Sequence, residues 1–198
     1  NENAKEKYFD NFDSIKAAVE SYAAVNYPGH ELHIISSAGP NAGGPDGSST
    51  FNYALEYAYD RLGQTMPGQT LVDEHYYQSE SFMYNQSDRY DYYQRVGQGG
   101  SSIFVGEYAV RGNNRYNTAL AEACYITGLE RNADVVVMSS YAPLFARLGY
   151  AQWSPDLIWF DGRRSYATAS YYVQKLYSLY TGNYSLKTRL EGSGDKLY

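Results

Sequence analysis

Cysteine is almost absent. The lone thiol, Cys124, excludes an intrachain disulfide and a cysteine-based zinc site, and its apolar helical neighbours mark it as a buried side chain. Histidine is equally scarce. His30, His33 and His75 follow no metal-ligand spacing, so neither a metal nor a cofactor is expected, and His33 reads as packed inside an apolar strand. No run is apolar enough to span a bilayer, and the opening Asn1-Glu2-Asn3-Ala4-Lys5 lacks the basic-then-apolar form of a leader. Basic blocks are missing too. With 16 Lys and Arg against 22 Asp and Glu, the net charge of −6 provides no electrostatic footprint for nucleic acid or an anionic membrane.

What is abundant is tyrosine, 24 of 198 residues, often in pairs such as Tyr76-Tyr77 and Tyr171-Tyr172. Flat rings with a polar tip suit stacking on sugars, although most are expected to pack at the edges of strands and helices. The length fits one domain or a large piece of one. The acidic, tyrosine-rich and cysteine-poor composition suits an extracellular protein, although an intracellular one would look similar.

Hydrophobic periodicity gives the order of elements. Ala4 to Asn26 carries Tyr8, Phe9, Phe12, Ile15, Val19 and Tyr22 at helical spacing, and Tyr27-Pro28-Gly29 closes the helix. Strand Glu31–Ser36, a loop from Ser37 to Thr50 and a helix from Phe51 to Leu62 follow. Strand Thr70–Tyr76 leads to a helix over Ser81–Arg95, then strand Ser102–Ala109 to helix Asn117–Glu130. Strand Asp134–Ser139 opens a long connection with Trp153 and Trp159, and Ser165–Tyr180 is the last helix. Strands alternating with helices predict a parallel sheet with crossover helices. Four such pairs are half of an eightfold barrel. An open four-stranded doubly wound sheet is the alternative, but no glycine-rich phosphate fingerprint follows its first strand.

The run Ser102-Ile-Phe-Val-Gly-Glu107 is nearly continuous in apolar residues and then meets a carboxylate. In α/β barrels such strand ends line the active site, although a solvated carboxylate fits the local pattern equally well. Glu122 and Glu130 lie on a helix and read as structural or solvated, and Asp73 and Glu74 flank a strand end without an assignable role.

Eight motifs in order resemble glycoside hydrolase family 51, the α-L-arabinofuranosidases. They are Asp73-Glu-His-Tyr-Tyr77, Tyr90-Asp91, Phe104-Val-Gly-Glu-Tyr-Ala109, Ala119-Leu-Ala-Glu-Ala123, Gly128-Leu-Glu-Arg-Asn132, Ser140-Tyr-Ala-Pro-Leu144, Trp153-Ser-Pro-Asp156 and Ser170-Tyr-Tyr-Val-Gln174. The resemblance runs from Asn1 to about Tyr184. It implies the second half, strands 5 to 8, of a (β/α)8 TIM barrel over residues 1–181, with 182–198 a linker or the first strand of a C-terminal β-sandwich. The missing N-terminal half of the barrel would be the obligatory partner, because a half barrel exposes strand edges and its inner face. An oligomer is compatible with it.

By the same resemblance Glu107 is the nucleophile of a retaining enzyme and Glu2 the acid/base, with Asn1 bonding the sugar 2-hydroxyl. Glu2 in a first helical turn with Asn1 as its cap is also the arrangement a helix N-terminus favours. The resemblance further implies that Tyr77 is the hydroxyl donor to Glu107 and that His75 lines the same pocket, where the local pattern also fits a packed strand-end histidine; Trp153 stacks on a sugar or plugs the barrel mouth. The implied substrate is an arabinose-containing polysaccharide or oligosaccharide. Another glycosidase specificity on the same barrel, endoglucanase or xylosidase, and a non-catalytic carbohydrate-binding protein are the alternatives.

Overall fold

The computed structural model describes residues 2–37 and 70–186, with side chains from residue 7 onward. Asn1, the helix expected at 51–62, most of the 37–50 loop and the tail beyond 186 lie outside the described residues, as does the side chain of Glu2. Two compact units are present, one of residues 1–74 with 94–104, the other of 75–93 with 105–198.

In the first unit, helix α1 (Glu2–Asn26) matches the periodic stretch. Its end is closed by Tyr27 N–H donating to the Ala23 carbonyl at 2.8 Å, followed by Gly29 at φ +84°, a conformation that side chains resist. Only part of its apolar stripe is covered among the described residues. Phe9 is buried, whereas Ile15, Val19 and Tyr22 are exposed. The Tyr8 hydroxyl donates to the carbonyl of Ser37 at 2.6 Å, on strand β1 (Ile34–Ser37). β1 is shorter than expected and starts after His33, whose imidazole is half exposed rather than packed within a strand. It pairs in parallel with strand β2 (Thr70–Gln78), in register from Ile34 opposite Thr70 to Ser37 opposite Asp73. The glycine run before strand β3 (Ser102–Val110) is a tight loop closed by Gly100 N–H on the Arg95 carbonyl at 3.1 Å. A Cβ on Gly100 would sit 1.8 Å from the Gln94 carbonyl oxygen, so only glycine fits there.

The second unit holds the last residues of β2 and β3 and strand β4 (Val136–Tyr141), adjacent in the order β2-β3-β4 of a parallel sheet. Hydrogen bonds extend the ladder past the strand ends, from Arg111 N–H to the Gln78 carbonyl at 2.8 Å and from Ala142 N–H to the Tyr108 carbonyl at 3.4 Å. β3 runs on through Val110, so Glu107 lies three residues before its end rather than at it. Helix α2 (Glu80–Asn85) is capped by the Ser79 hydroxyl, which accepts from Phe82 N–H at 3.1 Å. It stops far short of the expected Arg95, and a 3-10 turn at Arg89–Tyr92 follows.

The stop has a tertiary cause. Ser87 is drawn against helix α3 (Tyr116–Arg131), where the Arg131 guanidinium donates to its carbonyl at 2.9 Å and Gly128 leaves room for it. Arg131 also pairs with Asp91, and Asn132 donates to the same carboxylate at 2.6 Å. These contacts override the helical pattern of 81–95.

The core of this unit is aromatic. Tyr76, Tyr90, Tyr108 and Tyr125 are fully buried. Tyr125 of α3 meets Tyr76 edge-on at 5.9 Å and Tyr108 at 6.0 Å. Such pairs add about 0.5–1.5 kcal/mol each beyond their area. Three of the polar tips meet partners: the Tyr108 hydroxyl donates to Gln174 Oε1 at 2.7 Å, and those of Tyr90 and Tyr125 meet at 3.4 Å. Glu122, on the same helix, is fully buried rather than solvated.

The long connection after β4 contains a three-stranded mixed sheet, with β5 (Phe145–Arg147) parallel to β6 (Ile158–Phe160) and β6 antiparallel to β7 (Ser165–Ala167). Strands of three residues are too short to show a period. Asp161 builds the turn between β6 and β7 by accepting the Arg163 and Arg164 N–H groups, which hold its carboxyl below the ordinary range. β7 takes the first residues of the expected last helix, so helix α4 is Ala169–Leu179, capped by the Thr168 hydroxyl. Residues 182–186 form no strand.

A Cβ on Gly128 would approach the Ser87 carbonyl oxygen to 1.9 Å. Gly128→Ala in the complete protein is therefore expected to lower the unfolding free energy by about 1–3 kcal/mol, read as a lower urea midpoint. An unchanged midpoint would disprove the close approach.

Candidate functional site

Period-two alternation decides which side chains meet. On β2, Tyr76 points to α3, so His75 and Tyr77 project from the opposite face. On β3, Tyr108 likewise meets α3, and Glu107 projects with His75 and Tyr77. Because β2 and β3 are neighbours, the two residues before and after Tyr76 converge on one carboxylate.

The Tyr77 hydroxyl donates to Glu107 Oε2 at 2.8 Å, and His75 Nδ1 stands 3.4 Å from the same oxygen. The imidazole is mostly buried, 14% exposed, whereas the carboxylate is 41% exposed. That difference matters: the Tyr77 donor and the neighbouring imidazole meet at one oxygen, while the carboxylate stays partly open to solvent. Burial pushes the Tyr77 phenol well above the usual range, and the bond to Glu107 and its charge push it further. Tyr77 therefore remains a donor at any working pH. A hydrogen bond from a neutral donor to a charged acceptor stabilises by about 1.5–3 kcal/mol.

Trp153 packs edge-on against Tyr77 at 5.6 Å and is half exposed, so an apolar wall stands beside the Tyr77 donor. Its loop is tied down where the Ser154 hydroxyl donates to the Gly112 carbonyl at 2.8 Å. The Ser140 hydroxyl of β4 donates to the Gly106 carbonyl, fixing the peptide just before Glu107.

Four of the sequence-predicted residues, Glu107, Tyr77, His75 and Trp153, are thus brought together. Glu2 falls in the first turn of α1, and neither its side chain nor Asn1 is described. Among the described residues no group of three or more His, Cys, Asp or Glu side chains could hold a metal ion, and no helix is long and apolar enough to cross a membrane. A cavity of about 510 Å³ is lined by Tyr108, Leu129, Met138, Gln174 and Tyr177 among others, but by none of these four.

The sequence pattern undervalues Glu122. It accepts the Val110 N–H at 3.1 Å and is wholly enclosed. The signal is its place on the stripe of Ala119, Ile126 and Leu129, at helical spacings of three, four and three. A carboxyl on the buried stripe of a helix needs a polar reason to be there.

Known proteins carry the same arrangement of sequence. Residues 93–196 match the family described as the alpha-L-arabinofuranosidase C-terminal domain. An extracellular exo-alpha-L-arabinofuranosidase of Streptomyces chartreusis is 42% identical over 89% of this chain and 19% of its own length. Alpha-L-arabinofuranosidase 1 of Arabidopsis thaliana is 37% identical over 94% of this chain and 23% of its own. The arabinose-bound α-L-arabinofuranosidase MgGH51 superposes with a TM-score of 0.56 at 26% identity, covering 81% of this chain and 30% of that one. The chain spans about a fifth of the length of these curated relatives. With more than half its residues inside the family match, and with the Glu107 strand included in it, the chain belongs to the α-L-arabinofuranosidase C-terminal domain family, as a C-terminal region of glycoside hydrolase family 51.

Proposed function

We propose that this chain supplies the nucleophile side of a retaining α-L-arabinofuranosidase that releases terminal arabinofuranosyl residues from arabinan- or arabinoxylan-type hemicellulose. The observation that carries the reading is the carboxylate of Glu107, held on one oxygen by Tyr77 and His75 and open on the other side. The relatives are named as arabinofuranosidases, and one of them as extracellular, which supports an arabinose-containing glycan as substrate and secretion of the complete enzyme.

Double displacement needs two carboxyls about 5–5.5 Å apart. We assign the ionised one to Glu107 and the protonated one to Glu2. In the first step a Glu107 oxygen attacks the anomeric carbon while Glu2 gives its proton to the departing glycosidic oxygen. A covalent glycosyl ester forms and the leaving group departs as an alcohol. In the second step Glu2 takes a proton from water, the resulting hydroxide attacks the same carbon, and the ester bond breaks with Glu107 restored as carboxylate. Two inversions retain the configuration.

Tyr77 and His75 orient the nucleophile by fixing one oxygen, so that the other is aimed at the sugar. Asn1 bonds the sugar 2-hydroxyl, and Trp153 supplies the apolar wall. The acid/base side would be completed by the rest of a (β/α)8 barrel, of which residues 1–181 form the second half and 182–198 lead into a β-sandwich. The parallel sheet with its crossover helices supports that architecture.

Two variants of the complete enzyme test this. Glu107→Ala is expected to lose at least about 10³-fold in kcat on an aryl arabinofuranoside and to regain turnover with azide, giving a glycosyl azide, as an activated leaving group allows. Full activity in this variant would leave the carbohydrate-binding alternative standing. Tyr77→Phe keeps the ring against Trp153 and removes only the donor. Its expected loss in kcat is about 10- to 100-fold, the equivalent of one hydrogen bond to a charged acceptor.

A further inference from the structure

Behind the Glu107 strand lies a polar cluster that the reaction itself does not use. Glu122 of α3 accepts the Val110 N–H, the last residue of β3 and three beyond Glu107, at 3.1 Å. Its other oxygen, Oε2, is enclosed without a well-formed hydrogen bond, and so is Ser170 Oγ at the start of α4. The Tyr141 hydroxyl, at the end of β4, completes the surroundings. Asn114 Nδ2 donates to that hydroxyl at 3.5 Å, while Asn114 Oδ1 accepts the N–H of buried Asp156 at 3.3 Å. The cluster thereby reaches the loop that carries Trp153. The nucleophile strand is bonded directly to the buried carboxyl, and the tryptophan loop meets the same cluster through Asn114 and Tyr141.

We propose that Glu122 is a positioning residue for the nucleophile: it fixes the end of β3 through the Val110 N–H, from a buried position between that strand and the Tyr141 and Ser170 hydroxyls of β4 and α4. The inference rests on Glu107 as nucleophile only for its effect on catalysis. The anchoring itself stands on the geometry. Oε1 accepts from Val110, while Oε2 lies enclosed beside the Tyr141 and Ser170 hydroxyls, where an acid proton has hydroxyl oxygens within its surroundings to face. Burial pushes the Glu122 carboxyl up to about 7 from an ordinary 4.5, against the opposing pull of Ser170, the Val110 N–H and Tyr141.

The groups that face it are the Tyr108 phenol and Val110 N–H from β3, the Tyr141 phenol from β4 and the Ser170 hydroxyl from α4. Both phenols are raised by burial, with the Glu122 charge adding to the rise, so neither titrates before it. None of these facing groups carries a charge at neutral pH. The folded value lies above the ordinary one, so the contribution to stability is complete below about 4.5 and is lost as pH rises through about 7.

Hydrogen exchange of the segment containing Val110 and steady-state kinetics of the complete enzyme test the proposal together. Glu122→Gln is the neutral mimic. Between pH 5 and pH 8 the parent's exchange, corrected for the intrinsic rate, is expected to rise at least about tenfold while that of Glu122→Gln stays flat. Glu122→Ala should exchange fast at both pH values and lose about tenfold or more in kcat at a KM within twofold, the pattern of a misplaced nucleophile. Exchange in Glu122→Gln that follows the parent's pH dependence would overturn the proposal, as would a folded Glu122→Ala with kcat within twofold of the parent. If Glu122→Ala does not fold, the Glu122→Gln comparison decides alone. Activity surviving in Glu107→Ala sinks the nucleophile assignment, while the exchange data still decide whether Glu122 anchors the strand.

Discussion

The alternation of side chains along two neighbouring strands is the constraint on which the rest depends. In β2 and β3 one set of residues faces α3 and the other faces away. A slip of one residue in either strand would turn Glu107 into the tyrosine core and bring Tyr108 out in its place. Register is therefore both the packing specification and the functional one. It is secured by rings on the helix side, where Tyr76, Tyr108 and Tyr125 interlock. On the other side the Tyr77 hydroxyl locks onto Glu107.

Helix α3 serves both faces without touching the carboxylate. Tyr125 closes the aromatic cluster, Gly128 admits the Ser87 backbone, Arg131 and Asn132 hold the turn at Asp91, and Glu122 takes the Val110 N–H. The exposed Arg131–Asp91 pair adds little by its charge alone, because solvent screens it. Its use is geometric, since the same guanidinium also claims the Ser87 carbonyl. The mixed sheet plays a comparable part for Trp153, whose loop lies between β5 and β6.

How much of this was legible in the residues differs from place to place. α1, β2, β3 and α3 stand close to where periodicity puts them, because each is long enough to show its period. The contact of Tyr77 with Glu107, and the presence of His75 beside it, were legible through the motifs. Periodicity alone would not have joined residues so distant in sequence. The 81–95 stretch misleads because its apolar spacing is helical, while Arg131 and Asn132, some forty residues on, decide its path. β5, β6 and β7 carry no readable period, and Asp161, which makes their hairpin, resembles any surface aspartate until its two backbone bonds are seen. Glu122 could have been read from its stripe. What it holds could not, since a backbone N–H leaves no mark in a sequence.

A core made of tyrosine also changes how such a domain responds to temperature. Each buried ring of Tyr76, Tyr90, Tyr108 and Tyr125 takes an oxygen inside with it. Exposing apolar surface raises the heat capacity on unfolding and exposing polar surface lowers it. Weight for weight, this interior gains less heat capacity on melting than one filled with leucine and isoleucine. The free-energy curve of the unit is correspondingly flatter, with a shallower loss of stability toward the cold as well as toward the heat.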